Sequence, residues 1–274
     1  MRVWAVVLAV VLVGVPAPAR AGFTGAGFVA TALDSAAVKA RDHHCSSSDV
    51  IGAGAAITGG GDDVFLTAVG PKADLSGVDT AAVEDQDGFA GQWRLYASVI
   101  CGVAPVDRKV VTGQSALSSS STQAATATCP GSSRVMSGGA VIVGGKAQVG
   151  LDDLRITADL KAVSVTAVED EDGFGGGWRV VARAVCTATL SGLELVTATV
   201  PASSSMMKAL GVRCPEGKHL QGMGAAITGG GGQARLTTIM AATDQGPAML
   251  VTATEDGNGY GGSWTLAGQA VCAK

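Results

Sequence analysis

Three short segments of this 274-residue chain place carboxylates beside an aromatic ring: Glu84, Asp85, Asp87 and Phe89; Glu169, Asp170, Asp172 and Phe174; Glu255, Asp256, Asn258 and Tyr260. Carboxylates this close together offer hard oxygen donors to a cation such as calcium, and a neighbouring ring offers a face on which a sugar can stack. Calcium takes about six to eight oxygens, so an ion at any one segment must also recruit backbone carbonyls and water. The competing reading is a tight turn, in which aspartate and glycine serve because they tolerate its dihedral angles. The candidate ligand-binding set is therefore Asp85, Asp87, Phe89, Asp170, Asp172, Phe174, Asp256, Asn258 and Tyr260, with calcium the one cofactor in view and no metal centre assigned.

Catalytic motifs fail one by one. Ser205-Met206-Met207-Lys208 has the SxxK spacing of penicillin-binding enzymes, but no KTG or SDN box follows it, and it falls in an expected turn. His43 and His44 stand beside Cys45 in one copy only, and a cysteine held in a disulfide is no nucleophile. Asp62-Asp63 and Asp152-Asp153 read as solvated loop acids. No CxxC pair is present, which argues against zinc. The expectation is a protein that is not an enzyme.

What positions the acidic segments is an internal repeat. Glu84 through Trp93 recurs as Glu169 through Trp178 and as Glu255 through Trp264, with the tryptophans 85 and 86 residues apart. Gly54-Ala55-Ala56-Ile57 recurs as Gly139-Ala140-Val141-Ile142 and Gly224-Ala225-Ala226-Ile227. Each copy opens with one cysteine (Cys45, Cys129, Cys214) and closes with another (Cys101, Cys186, Cys272). A unit that folded before duplication must have satisfied its own thiols, which predicts the pairs 45–101, 129–186 and 214–272. In the chain-entropy model each such loop contributes roughly 4 kcal/mol, on the scale of what a small core with few aromatic residues lacks.

Each copy reads as β-structure with about six short strands. From Trp178 to Cys186, Trp, Val, Ala, Ala and Cys share one face, and Val163, Val165 and Ala167 alternate with Ser164 and Thr166 to give the expected partner strand. The acidic segment between them reads as a hairpin turn, and Gly144-Gly145 as a second one. The three tryptophans are expected in the core, packed on the disulfides, with Glu84, Glu169 and Glu255 accepting hydrogen bonds from turn amides or the indole N–H. Three all-β, disulfide-closed repeats follow, at 22–104, 105–189 and 190–274. They form either small sandwich-like units in a row, the favoured packing, or one body closed about a pseudo-threefold axis like a β-prism.

Arg2, an apolar run from Val3 to Val15 and Ala19-Arg20-Ala21 read as a signal peptide over residues 1–21, and the run is too short to span a bilayer. Its removal leaves 17 basic against 23 acidic residues, so the secreted chain carries about −6, which disfavours nucleic acid and anionic lipid as partners. The Cys-Pro opening (Cys129-Pro130-Gly131, Cys214-Pro215-Glu216-Gly217), the GAxI-type block and the ending from Glu169 to Cys186 resemble repeats in uncharacterised secreted proteins of actinobacteria, a resemblance that implies secretion and no particular activity. A weaker resemblance is to the outer-layer protein of the egg vitelline membrane, which implies the β-prism; the first copy departs from both in having Cys45-Ser46-Ser47-Ser48. The expected function is a secreted, non-catalytic binding protein. Its three acidic-aromatic tips would meet a cell-wall or environmental polysaccharide; the alternative is a structural surface-coat or matrix protein.

Overall fold

The computed structural model describes residues 22–242 and 248–274; the expected signal peptide lies outside them. The first copy contributes β1 (Gly22–Ala30), β2 (Val38–His43), β3 (Asp49–Thr58), β4 (Val64–Pro71), β5 (Val78–Glu84) and β6 (Arg94–Val103). The second contributes β7 (Lys109–Gln114), β8 (Thr122–Thr128), β9 (Arg134–Val143), β10 (Val149–Ile156), β11 (Ala162–Glu169) and β12 (Arg179–Thr187). The third contributes β13 (Glu194–Ser203), β14 (Met207–Arg213), β15 (His219–Thr228), β16 (Ala234–Ala242), β17 (Ala248–Glu255) and β18 (Trp264–Ala273). The protein is all-β, and the alternation seen in the sequence is the alternation of burial: Val180, Ala182 and Ala184 of β12 are buried while Arg179, Val181 and Arg183 are less so.

The disulfides are Cys45–Cys101, Cys129–Cys186 and Cys214–Cys272, with Cα–Cα separations of 5.8, 5.6 and 5.7 Å, inside the range a disulfide spans without backbone movement. Each joins the residue just past an edge strand (β2, β8 or β14) to the closing strand of its copy (β6, β12 or β18). Those two strands lie in different sheets, so the bridge holds the two halves of a copy together.

The copies do not stand in a row. Every copy divides three strands and three, and each half joins a half of another copy. The sheets run β1-β6-β3-β16-β17-β14, β2-β5-β4-β9-β12-β7 and β13-β18-β15-β10-β11-β8. Three six-stranded sheets thus close about a pseudo-threefold axis, around one continuous core that draws Trp93, Trp178, Trp264 and the apolar faces of all three copies together. The physical reason is the inner strand of each half. β4 is buried along its whole length, and within its own copy only β5 pairs with it, so its other edge is completed by β9 of the next copy.

The junctions are short and fall on the GAxI blocks. Ala68 and Val69 pair with Val141 and Ala140, Asp153 and Leu154 with Ala226 and Ala225, and Thr238 and Ile239 with Ala56 and Ala55. Glycine opens each block because backbone passes against it. A Cβ at Gly54 would lie 2.5 Å from the Ile239 carbonyl oxygen, one at Gly224 would lie 2.6 Å from that of Leu154, and one at Gly139 would lie 2.7 Å from the Gly70 Cα.

Two local expectations are corrected by this topology. The acidic segments and the Gly144-Gly145 turn are not hairpins, since β5 and β6 lie in different sheets, as do β9 and β10. Gly88, Gly173 and Gly259 do have positive φ (76°, 71° and 77°), but the turns they permit carry the chain from one sheet to another. The hairpins of the first two copies are β4–β5 and β10–β11, so the partners of β11 are β10 and β8 rather than β12. The tryptophans also do not pack on the disulfides. Trp178 precedes β12 and Cys186 lies near its far end, roughly 26 Å away along an extended strand.

Candidate functional site

At each acidic segment the glutamate is the internal anchor. Glu84 Oε1 accepts the Trp93 indole N–H at 2.7 Å and its Oε2 accepts the Phe89 amide at 3.3 Å. Glu169 does the same with Trp178 and Phe174 (2.6 and 3.1 Å), as does Glu255 with Trp264 and Tyr260 (2.7 and 3.1 Å). The expected partnership of buried glutamate with indole and turn amide is therefore present three times, and it satisfies carboxylates that burial would otherwise penalise. On the other side of two of the indoles sits a buried cation that the sequence reading did not anticipate. Lys39 and Lys208 each hold Nζ 4.7 Å from the centroid of their tryptophan, and Lys39 also donates to the Trp93 carbonyl at 2.7 Å. In the second copy Gln123 takes that place and donates to the Trp178 carbonyl at 2.7 Å. Lys208 is thus the counterpart of Lys39, and its ammonium donates to the Ser203 hydroxyl rather than to Ser205 of the SxxK match.

The aromatic rings turn back onto their own loops. A Cβ at Gly91 would meet Phe89, one at Gly176 would meet Phe174 and one at Gly262 would meet Tyr260, at 2.5, 2.5 and 2.6 Å. All three rings are half-buried against the core, and none is among the residues lining the cavity the aspartates share.

The aspartates, in contrast, converge. One open bowl of about 250 Å³ lies where the three segments meet, lined by Asp85, Gln86 and Asp87 of the first, Asp170, Glu171 and Asp172 of the second, and Asp256, Gly257 and Asn258 of the third, together with Asp63 and Arg235. The loop ahead of each inner strand fixes its neighbour: the amides of Asp85, Asp170 and Asp256 donate to the carbonyls of Asp63, Gln148 and Gln233 at 2.7, 3.0 and 2.8 Å. Asp85 and Asp170 each turn Oδ1 back to the amide three residues on, Gly88 and Gly173, at 3.1 and 3.0 Å. Side chains then tie copy to copy. Gln86 donates to Asp172, Gln148 donates to Gln86, and Gln233 donates to Glu171.

The floor of the bowl breaks the threefold. The second residues of the inner strands β4, β10 and β16 are Phe65, Gly150 and Arg235. They meet on the axis: the Arg235 guanidinium lies 4.3 Å from the Phe65 ring centroid, and a Cβ at Gly150 would come within 2.8 Å of Arg235 Cδ. Glycine in the second copy leaves the space that the arginine stem fills. Arg235 donates Nε to the Gly232 carbonyl at 3.2 Å, while Nη2 stands 3.5 Å from Asp170 and 3.6 Å from Asp256, longer than a hydrogen bond. Burial pushes the carboxyls of Asp63, Asp85 and Asp170 above the usual range, with Arg235 drawing that of Asp170 back. Burial likewise raises Asp256 to about 6, again opposed by Arg235.

Of the residues singled out in the sequence, the structure thus brings together Asp85, Asp87, Asp170, Asp172, Asp256 and Asn258 and leaves out Phe89, Phe174 and Tyr260. Sequence reasoning missed Asp63, Gln86, Glu171 and Arg235. The signal for Arg235 was present as a position of the inner strands at which the copies carry chemically unlike residues, Phe65, Gly150 and Arg235. Asp152 and Asp153 are not solvated loop acids; they sit in β10 at a bulge, and Asp153 accepts the Ile227 amide of the third copy at 3.1 Å. Among the described residues no group of three or more His, Cys, Asp or Glu side chains could hold a metal ion, and no helix is long and apolar enough to cross a membrane. The chain matches no protein-family model, and a search of curated proteins gave no match.

Proposed function

We propose that this chain is a secreted, non-catalytic protein that binds a polysaccharide in the axial bowl. The observation that carries the reading is convergence: three acidic segments, 85 or 86 residues apart in sequence, contribute equivalent aspartates to one concave site. Carboxylates, amides and a guanidinium in a shallow cavity match the hydroxyl-rich surface of a sugar, each hydroxyl being both donor and acceptor. The segments act as parts of one site rather than as three weak sites joined by avidity, and ring stacking contributes little because the rings are held by their own loops. Three disulfides fit an oxidising, extracellular setting. The test is a glycan array and cell-wall pull-down with the full secreted chain and with the double variant Asp87→Asn/Asp172→Asn. Specific retention that the variant loses supports the reading; retention unchanged in the variant overturns it.

A second reading, a surface-coat or matrix protein, is favoured by how fully the glutamates, indoles and buried lysines are engaged within the fold. It predicts no saturable ligand and strong retention on the producing cell.

A further inference from the structure

We infer that the axial bowl selects sugar units bearing a free amine beside a hydroxyl, an inference that rests on the polysaccharide reading and narrows its ligand class. The bowl collects seven carboxylates against one guanidinium. An uncompensated negative field of this kind repels uronic, sulfated or phosphate-linked glycans and raises the local concentration of cations. A bare metal ion does not suit it, because the carboxylates ring the cavity without forming a cluster that could hold one. The matching cation is larger and carries its charge on a donor group, as an ammonium does.

The floor supplies a second, independent indication. Asp256 and Arg235 are 5% and 4% exposed, and both line the bowl. Among the described residues Asp256 Oδ1 and Arg235 Nη1 have no hydrogen-bond partner. A buried polar atom left unpaired costs about 1–3 kcal/mol, a cost that complementary groups on a ligand would offset. Asp256 Oδ1 accepts and Arg235 Nη1 donates, so the pair asks for one donor and one acceptor on neighbouring atoms of a ligand. A 2-amino-2-deoxy sugar presents that combination, its ammonium turned to the carboxylate and an adjacent hydroxyl oxygen to the guanidinium. The third segment has Gly257 where the others have Gln86 and Glu171, and the Asp63 carboxylate takes that place, its Oδ1 2.9 Å from where a Cβ at Gly257 would stand. A cavity of about 250 Å³ accommodates one sugar ring rather than a stretch of chain, so recognition falls on single units of the polymer.

The experiment is calorimetric titration of the full secreted chain at low salt with four probes: a glucosamine hexamer, its fully N-acetylated counterpart, cellohexaose and polylysine. The glucosamine hexamer should bind at least tenfold more tightly than the other three. Its affinity should fall about tenfold in Asp87→Asn/Asp172→Asn, whose exposed side chains can change without loss of the fold, and further in Asp256→Asn. Circular dichroism melts of each variant establish that it is folded. Equal affinity for the acetylated or neutral hexamer would overturn the amine inference and leave the polysaccharide reading standing. Equal affinity for polylysine would reduce the bowl to a charge trap and overturn the inference. Binding of no oligosaccharide, or glucosamine binding indifferent to both folded variants, would overturn both readings.

Discussion

Replacing Asp152 by threonine should stabilise the protein progressively as the pH rises from mild acid to above neutrality. Asp152 is the extra residue of the bulge in β10, where the other copies have Thr67 and Thr237, and the Thr237 hydroxyl lies 2.8 Å from that of Thr252. Burial, helped by the charge of Asp153 and opposed by Arg155, raises the Asp152 carboxyl from 3.8 to about 7. The folded chain therefore holds this proton at pH values where the unfolded chain has released it, and the unfolding free energy falls as pH rises from 3.8 through about 7. At about 1.4 kcal/mol per pH unit the ceiling is about 4 kcal/mol. The side chain is partly exposed, so solvent screening reduces this to about 1–2 kcal/mol. Urea unfolding of the oxidised full chain, at pH 4 and pH 8, measures it. The variant should gain about 1–2 kcal/mol on the natural sequence between those two conditions, at unchanged denaturant slope. A stability difference that is the same at both pH values, or one that reverses at pH 8, would refute the burial of a titrating carboxyl at this bulge.

Three further outcomes follow from the packing. Trp178→Phe removes the donor held by Glu169 Oε1 at 2.6 Å in the core and should cost about 3 kcal/mol in urea unfolding, whereas Glu169→Gln, which keeps one acceptor, should cost less. Gly70→Ala drives a Cβ to within 2.4 Å of the Gly139 Cα at a junction between copies, backbone against backbone, and should lower stability by about 2–3 kcal/mol in the same assay. The second copy expressed alone as residues 105–189, with its disulfide formed, should show no cooperative thermal transition by circular dichroism, because β9 and β10 lose their partners β4 and β15. A sharp transition in that fragment would contradict the sharing of sheets.

The strands, the repeat and the disulfide pairing were legible in the sequence because each is a local or periodic property: alternation of side chains, a fixed spacing, and an even number of thiols in each unit. The glutamate–indole contacts were legible for a related reason, since a carboxylate in phase with an apolar face must find donors nearby. Which strand pairs with which was not legible. Alternation reports the face a residue turns to, not the edge its backbone meets, and a positive-φ glycine such as Gly88 serves a crossing between sheets as well as a hairpin. The favoured row of units failed for the same reason, as nothing local in Val64–Pro71 shows that one of its edges belongs to another copy. The bowl was half legible. Its aspartates repeat and were found; its floor, Phe65, Gly150 and Arg235, consists of the residues that do not repeat, and a search for likeness passes over them.

The central claim is that three acidic segments make one site. Titration of the isotopically labelled full chain with the glucosamine hexamer, followed by the backbone amides of Asp85, Asp170 and Asp256 and the Arg235 Nε–H, tests it directly. All four signals should move along a single saturation curve ending at one hexamer per chain. Three hexamers per chain, or movement confined to one segment with Arg235 unmoved, would contradict it.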